Sequence, residues 1–320
     1  MNTELLIANL TNPTLLFFIL GVLAVKIKSD LVIPESSARF ISLYLLFSIG
    51  FKGGQELAHS PFTSEIAWSL VFGIALASLI PLYTFYILKR KLSIYDAGAI
   101  ASAYGSVSAV TFVAAASFLE NQQITYGGHM VAVMAFMESP SIIVGVTMIM
   151  LYDTQNKKSV NIREVFTHSL TNGSVLMIVG SLLIGLIADS KQAEGIKPFT
   201  TDIFKGFLAL FLLEMGMVTA KKFTAFKTYG GFVTVFAMLI PLINGCAVAA
   251  LSGIVTADTG NRFMFAILAA SASYIAVPAA MRLAVPKADP GLYIPMALAV
   301  TFPMNITLGM PLYMWVAQSV

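Results

Sequence analysis

The chain has 320 residues, of which 58% are hydrophobic and 11% are charged, and its mean hydropathy is +0.84. Because average soluble domains carry about 25% charged residues, this composition excludes a soluble protein and indicates a membrane protein with several spans. The net charge of +3 comes from basic residues scattered among loops, which excludes a nucleic-acid-binding surface.

Apolar segments follow one another from one end of the chain to the other. A helical span needs about 20 apolar residues, and on this basis the sequence predicts ten spans. They cover residues 13–29, 37–57, 64–88, 94–119, 127–152, 168–188, 201–220, 226–254, 261–286 and 289–318. The longest break between spans is the central loop, residues 153–164. The predicted fold class is therefore an all-α polytopic membrane protein without a soluble domain.

The basic residues of the predicted loops indicate how the chain is oriented in the membrane. If the N-terminus lies outside, 14 of the 19 lysines and arginines fall in loops on the inner side. The outer side then holds only Lys52, Lys191, Lys197, Lys205 and Arg262. We therefore expect a multi-pass protein of the bacterial inner membrane, with both termini facing the periplasm or exterior.

Three short patterns recur in the same order in the two halves of the chain. They are Leu79-Ile-Pro-Leu82 with Leu239-Ile-Pro-Leu242, Ser106-x-Ser108 with Ser271-x-Ser273, and Pro140 with Pro303. The offsets all lie between about 160 and 165 residues. We expect residues 1–160 and 161–320 to form two repeats of five spans each. Since five is odd, the repeats must be inserted with opposite orientation, an architecture common in transporters.

The fourth and ninth predicted spans are interrupted by small and polar residues at matching positions. The interruptions read Tyr104-Gly-Ser-Val-Ser-Ala-Val-Thr111 and Ala270-Ser-Ala-Ser-Tyr-Ile-Ala-Val-Pro278. Unwound backbone at membrane depth is tolerated only where it lines a cavity or contacts protein. A pair of such interruptions indicates the binding site of a transporter. We expect both helices to be discontinuous and to cross near the midplane.

The interruptions have the chemistry of a site for a small anion. The N-terminus of each second half-helix offers free N–H groups and a partial positive charge. Hydroxyl groups add donors and acceptors, and the predicted substrate-binding residues are Ser106, Ser108, Thr111, Ser271 and Ser273. Neither interruption contains Lys, Arg or His, which favours a loosely held small anion over a phosphate ester.

Two carboxylates, those of Glu138 and Glu214, lie within predicted spans. An ionisable residue at membrane depth is a functional-site hypothesis by default. Glu138 precedes Ser139 and Pro140, and a proline leaves a backbone carbonyl free because it has no N–H. Carboxylate, hydroxyl and carbonyl oxygens suit a hard cation such as sodium. For both glutamates the alternative is a structural hydrogen bond to a neighbouring helix.

The remaining polar residues have simpler interpretations. Lys52 and Glu56 are four residues apart, and we expect them to pair on one helix face near the membrane surface. His59, His129 and His168 lack the spacing of metal ligands, so solvated or capping roles are expected. The single cysteine, Cys246, excludes an intrachain disulfide.

A resemblance to a known family rests on five short stretches taken together. They are Asn12-Pro-Thr-Leu15, Leu31-Val-Ile-Pro-Glu35, Ile49-Gly-Phe-Lys-Gly-Gly54, Gly105-Ser-Val-Ser108 with Thr111, and 286–293. In these stretches the chain resembles the sodium-dependent bicarbonate transporters first recognised in cyanobacteria, along nearly its whole length. The resemblance implies a fold like that of the bile acid:sodium symporters, with a core domain containing two crossing broken helices and a gate domain. It also implies sodium-driven uptake of bicarbonate, a homo-oligomer and a regulatory partner of the PII type.

The chain departs from the family's pattern at the second interruption. Tyr274 stands where the cyanobacterial proteins carry an acidic residue, and Ala276 stands where they carry a serine. In the fifth span, Glu138 keeps the carboxylate of the family's Asp-x-Pro pattern. The central loop is much shorter than in cyanobacterial members, which leaves regulation by a PII-type partner open.

We therefore expect a secondary transporter, not an enzyme, that carries sodium together with a small anion, with bicarbonate as the leading candidate. Sodium is the only metal expected, and its predicted ligands come from Glu138, Gly105, Tyr274 and Asn305. One alternative is a sodium- or proton-coupled carrier of a small organic monocarboxylate, motivated by Tyr274 and Ala276. Two others are a membrane sensor without transport and an intramembrane serine enzyme, although neither interruption holds the base such an enzyme needs.

Overall fold

The computed structural model describes residues 11–153, 163–164, 167, 171–226 and 230–320. Most of the predicted central loop, His168 and the first ten residues lie outside this description. The described residues form helices and connecting turns without strands. The helices are α1 (Pro13–Lys26), α2 (Glu35–Ala58), α3 (Ser64–Leu88), α4 (Ile94–Gly105), α5 (Ala109–Asn121), α6 (His129–Tyr152), α7 (Gly173–Ile187), α8 (Phe204–Phe226), α9 (Gly231–Leu251), α10 (Thr259–Ala270), α11 (Ala276–Ala284) and α12 (Pro290–Ser319).

The helices follow the predicted spans to within a few residues. Six helical segments of the described chain are long and apolar enough to cross a membrane: Ser64–Leu88, Ile94–Asn121, His129–Tyr152, Pro198–Phe223, Gly231–Ile254 and Pro290–Ser319. The helices α1 and α7 are shorter apolar helices of 14 and 15 residues. The protein is therefore an all-α multi-pass membrane protein, whereas the count of ten spans and the inverted repeat stay predictions.

One proline in α9 has a specific substitute for its missing hydrogen bond. Pro241 has no N–H to donate to the carbonyl of Ala237, one turn earlier. The hydroxyl of Thr301 on α12 donates to that carbonyl at 2.8 Å. The Tyr104 hydroxyl on α4 lies 2.7 Å from Thr301 Oγ1 and completes the chain of bonds. A single buried threonine thus joins α4, α9 and α12.

A second proline, Pro303, lies within α12, where the helix is irregular. Turns of π-helix cover Met296–Thr301 and Asn305–Gly309 on either side of it. A proline inside a helix removes one backbone bond and disturbs the preceding turn, so Pro303 accounts for the first π-helical segment and Pro311 for the second. The second π-helical segment begins at Asn305, a residue predicted to bind sodium.

Two helix pairs, α1 with α8 and α2 with α7, make the most extensive helix–helix contacts among the described residues. In the first pair, a Cβ atom on Gly21 would overlap the Leu213 carbonyl oxygen, and one on Gly216 would overlap the Phe18 carbonyl oxygen. Both glycines are therefore required for the close approach of the two backbones, as in other membrane helix interfaces built on small residues.

The α2–α7 pair is built in the same way. A Cβ atom on Gly54 would overlap the Leu182 carbonyl oxygen, and one on Gly185 would overlap the Phe51 carbonyl oxygen. The other eight helices, α3–α6 and α9–α12, pack on one another around the two interrupted segments. Two glycine-mediated pairs therefore lie beside a larger helical bundle.

The close contact of Gly185 with α2 can be tested against Gly180, a control position on the same helix α7. We expect Gly185→Ala to lower the thermal unfolding temperature of the purified protein by several degrees, because overpacking a tight contact costs about 1–3 kcal/mol. Gly180→Ala is the control, since a Cβ atom at Gly180 meets no atom within 4 Å. Equal unfolding temperatures for the two variants would contradict the close contact.

Candidate functional site

Both predicted helix interruptions are present. The first separates α4 from α5, and Ser108 caps the second half-helix, its Oγ accepting the N–H of Thr111 at 3.2 Å. The second separates α10 from α11, and the Oγ of Ser273 accepts the N–H of Val277 at 3.4 Å. A serine therefore receives a backbone N–H at the start of each second half-helix.

The two interruptions are hydrogen bonded to each other. The backbone N–H of Ser108 donates to Ser271 Oγ at 3.0 Å, and the backbone N–H of Ser273 donates to the Ala103 carbonyl at 2.8 Å. The Ser271 hydroxyl donates in turn to the Leu268 carbonyl at 3.1 Å. Each interruption thus satisfies a backbone donor of the other, which is the condition for unwound backbone at membrane depth.

Side chains on α6 and α12 hold the ends of the first half-helices. The Ser141 hydroxyl donates to the Ser102 carbonyl near the end of α4 at 2.7 Å. The Asn305 side-chain amide donates to the Ala270 carbonyl at the end of α10 at 2.8 Å, and its oxygen accepts the Tyr313 hydroxyl at 2.9 Å. The Ser102 carbonyl also accepts the backbone N–H of Ser106 at 3.0 Å, so Ser141 adds a second bond to it, whereas Asn305 supplies a partner to a carbonyl at the end of α10.

A small cavity lies where the interruptions meet α2, α6 and α7. Its polar lining comes from Ser108, Glu138, Ser174, Ser273 and Tyr274. The cavity has a volume of about 30 Å³, whereas holding a single water takes at least about 10–15 Å³. It therefore has room for one or two species the size of a water or a small ion.

The carboxylate of Glu138 is the single acidic group of this lining. Within the described part of the chain, it has neither a hydrogen bond nor an ion pair. Ala109 and Val110, in the first turn of α5, line the same cavity, and a helix N-terminus carries a partial positive charge. An uncompensated carboxylate in a low-dielectric interior is costly, so this arrangement suits a bound cation.

The structure brings together some of the residues predicted for the site and separates others. Ser108, Ser273, Tyr274 and Glu138 line one cavity. The remaining predicted residues are buried next to it without forming its lining: Gly105, Ser106, Thr111, Ser271 and Asn305. Their predicted binding roles stay predictions, while Ser271 and Asn305 have the structural bonds described above.

The predicted pairing of Lys52 with Glu56 is present only as a charge interaction, without a contact ion pair. The two residues are one turn apart on α2 and both line a second cavity, and no contact within 4.0 Å joins their charged atoms. An ion pair on this side of the molecule joins Lys205 on α8 to Glu120 on α5 at 3.6 Å. The side chains of α2 face a cavity here, so the spacing on the helix does not by itself produce a bridge.

Sequence reasoning missed three polar residues near the interruptions. Ser141 lies three residues after Glu138, on the same face of α6, and this spacing was a usable signal. Ser174 reaches the cavity from α7, and Thr301 bridges α9 and α12. The positions of these last two depend on helix packing, for which the sequence has no local pattern.

The family of the chain is shown by its sequence match. A family model described as the Na+-dependent bicarbonate transporter superfamily matches residues 13–318. Among curated proteins there is no match. The matched region contains both interruptions, Glu138 and, apart from Ser319 at the end of α12, the helices named above, which is nearly the whole chain. The chain therefore belongs to the Na+-dependent bicarbonate transporter superfamily, and it is a membrane transporter rather than an enzyme.

Proposed function

We propose that the protein is a secondary active symporter that moves sodium and bicarbonate together by alternating access. The observation that carries this proposal is the unpartnered carboxylate of Glu138 in a cavity formed by the two helix interruptions. Family membership supports sodium and bicarbonate as the transported pair.

The cation would bind at the Glu138 end of the cavity. The carboxylate supplies a full negative charge, and the hydroxyls of Ser108 and Ser273 supply neutral oxygen atoms nearby. Oxygen ligands of this kind are those that hard cations prefer. Sodium in this position would neutralise a charge that the described residues leave uncompensated.

The anion would bind against the N-termini of the second half-helices. Ala109 and Val110 of α5 line the cavity, as does Ile275, the residue immediately before α11. Backbone N–H groups and the helix dipole favour an anion at such positions. A sodium ion beside the anion would strengthen anion binding, and the anion would strengthen sodium binding by the same factor.

The cavity lies at the boundary between the glycine-mediated pairs and the larger bundle. Leu46 on α2 and Ile178 on α7 form one wall, while α5, α6 and the second interruption form the other. We infer that α1, α2, α7 and α8 form the gate domain and the other helices form the core domain. Movement of one domain against the other would open the cavity to each side in turn.

The size of the cavity favours a small inorganic anion as the cargo. A volume of about 30 Å³ leaves little room for an organic acid in addition to a cation. The hydroxyl of Tyr274, which lines the cavity, donates to the sulfur of Met215 on α8 at 3.8 Å. Bicarbonate has four heavy atoms, fewer than a larger organic acid such as pyruvate, and family membership favours it over other anions of its size.

Uptake into liposomes tests the function directly. We expect the purified protein to take up labelled bicarbonate when a sodium gradient is imposed and to stop when potassium replaces sodium. Chloride, nitrate, acetate and pyruvate serve as competitors. Uptake without sodium, or displacement of bicarbonate by acetate or pyruvate, would contradict the proposal and indicate a different cargo on the same fold.

The role of Glu138 is tested by removing its charge while keeping its shape. We expect Glu138→Gln to abolish the stimulation of uptake by sodium, because no other acidic side chain lines the cavity. Glu138→Asp is the matched control, since it keeps the carboxylate and should retain sodium stimulation with a changed sodium affinity. Unchanged sodium activation in Glu138→Gln would remove Glu138 from the cation site.

Ser271 tests the link between the interruptions. We expect Ser271→Ala to raise the KM for bicarbonate about tenfold, since the buried N–H of Ser108 loses its acceptor and such a loss costs about 1–3 kcal/mol. The control is Ser78→Ala on α3, whose exposed hydroxyl is bonded only to the Ile74 carbonyl of its own helix. The same KM in both variants would show that this bond does not support substrate binding.

A further inference from the structure

A second and larger cavity lies between α2, α5 and the segment that leads into α8. Its volume is about 220 Å³, so it is several times larger than the cavity at the helix interruptions. Both α2 and α5 end near it, at Ala58 and Asn121, and residues 123–126 and 200–201 complete its wall. This is the side of the molecule predicted to face the exterior.

The polar residues of this cavity are arranged in layers along α2 and α5. Ser48 on α2 and Ser117 on α5 are farthest from the helix ends, and Lys52 follows one turn after Ser48. The carboxylates of Glu56 and Glu120 come last, close to the ends of the two helices. Along the two helices the hydroxyls therefore come first, then the ammonium of Lys52 and last the carboxylates, and by exposure Lys52 is exposed whereas Glu56 is half-buried.

The two hydroxyls at the floor of the cavity have no hydrogen-bond partner. The Oγ atoms of Ser48 and Ser117 are buried and unpaired among the described residues. A serine inside a helix commonly donates to a carbonyl of the preceding turn, as Ser181 does to Met177. Because Ser48 and Ser117 do not, both can donate to a ligand in the cavity.

The charges around the cavity are unequally compensated. Glu120 at the rim pairs with Lys205 at 3.6 Å. The side chain of Lys52 makes no contact ion pair among the described residues, although its charge acts on the Glu56 carboxylate one turn along α2. An ammonium without a contact ion pair, beside two unpaired hydroxyl donors, can bind an oxyanion, since charge-assisted hydrogen bonds are the strongest such contacts available.

We propose that this cavity is an access site at which a small oxyanion is captured before it reaches the cavity at the interruptions. Lys52, Ser48 and Ser117 form the site. The two cavities share the walls α2 and α5: Leu46 and Val110 line the inner one, whereas Ser48 and Ala116 line the outer one. Val110 and Ala116 are six residues apart on α5, which corresponds to a rise of about 9 Å, so the anion has only a short distance to move between the two cavities. Only the identification of the oxyanion as bicarbonate rests on the proposed function.

Thiol labelling tests the access site without any transport. The chain has a single cysteine, so Cys246→Ala with Thr201→Cys places one thiol in the cavity wall. We expect a negatively charged methanethiosulfonate to react faster with this thiol than a positively charged one, relative to their rates with a free thiol. We also expect bicarbonate to slow the reaction. Faster labelling by the cationic reagent, or no protection by bicarbonate, would overturn the proposal.

Substitution of Lys52 identifies the source of this preference. Lys52→Gln should remove the preference for the anionic reagent, and Lys52→Arg should keep it. Lys191→Gln is the matched control, because it removes one positive charge on the same side of the molecule without lining the cavity. A preference that survives Lys52→Gln would show that Lys52 is not the anion ligand.

Transport kinetics then separate the access site from the proposed function. In liposomes, Lys52→Gln should raise the KM for bicarbonate about tenfold with an unchanged maximal rate, and Lys52→Arg should restore the KM. A loss of maximal rate with unchanged KM would contradict capture at Lys52. If the unaltered protein transports no bicarbonate, the proposed function fails, while the labelling rates still decide whether the cavity attracts anions.

Discussion

The site depends on two hydrogen bonds that join one helix interruption to the other. In a membrane, a backbone N–H without a partner costs several kcal/mol, so neither interruption is stable alone. Ser108 and Ser273 donate their backbone N–H groups across the junction, to Ser271 Oγ and the Ala103 carbonyl. This requirement places α5 and the second interruption against each other and brings hydroxyls of both halves to one cavity.

The helices around this junction differ in how they are held together. Asn305 and Thr301 bond to carbonyls that the second interruption and Pro241 leave without a helical partner, and Ser141 adds a second bond to the Ser102 carbonyl. These bonds tie α4, α6, α9, α10 and α12 into one unit. By contrast, α2 and α7 contribute mainly apolar residues to the cavity, and they pack on each other through glycine. Directional bonds thus tie together the side that holds the site, while the α2–α7 pair combines glycine contacts with bonds from the Gln55 amide to the carbonyls of Gly185 and Ala188.

The sequence predicted the helix positions and both interruptions because each has a local cause. The length of each apolar segment predicts a helix, and the serine-rich stretches at matching positions in the two halves predict the helix interruptions. Glu138 was found because a carboxylate inside a span is rare. Ser174 and Thr301 were not found, because an isolated hydroxyl in a span has no local signature and its role is set by helices far away in the chain. Lys52 and Glu56 interact through their charges without a contact ion pair, and the spacing on one helix does not reveal the cavity in front of them.

The glycine contacts have a consequence for how the protein is made. In both close pairs, one helix comes from the first half of the chain and its partner comes from the second half: α1 meets α8, and α2 meets α7. During synthesis α1 and α2 are therefore inserted long before the surfaces that match their glycines exist. Contacts between distant segments form late and slowly, so the first half must wait in the membrane with these faces covered by lipid. Neither half contains the partners of its own glycine contacts, so both close pairs can be complete only after α8 has been inserted.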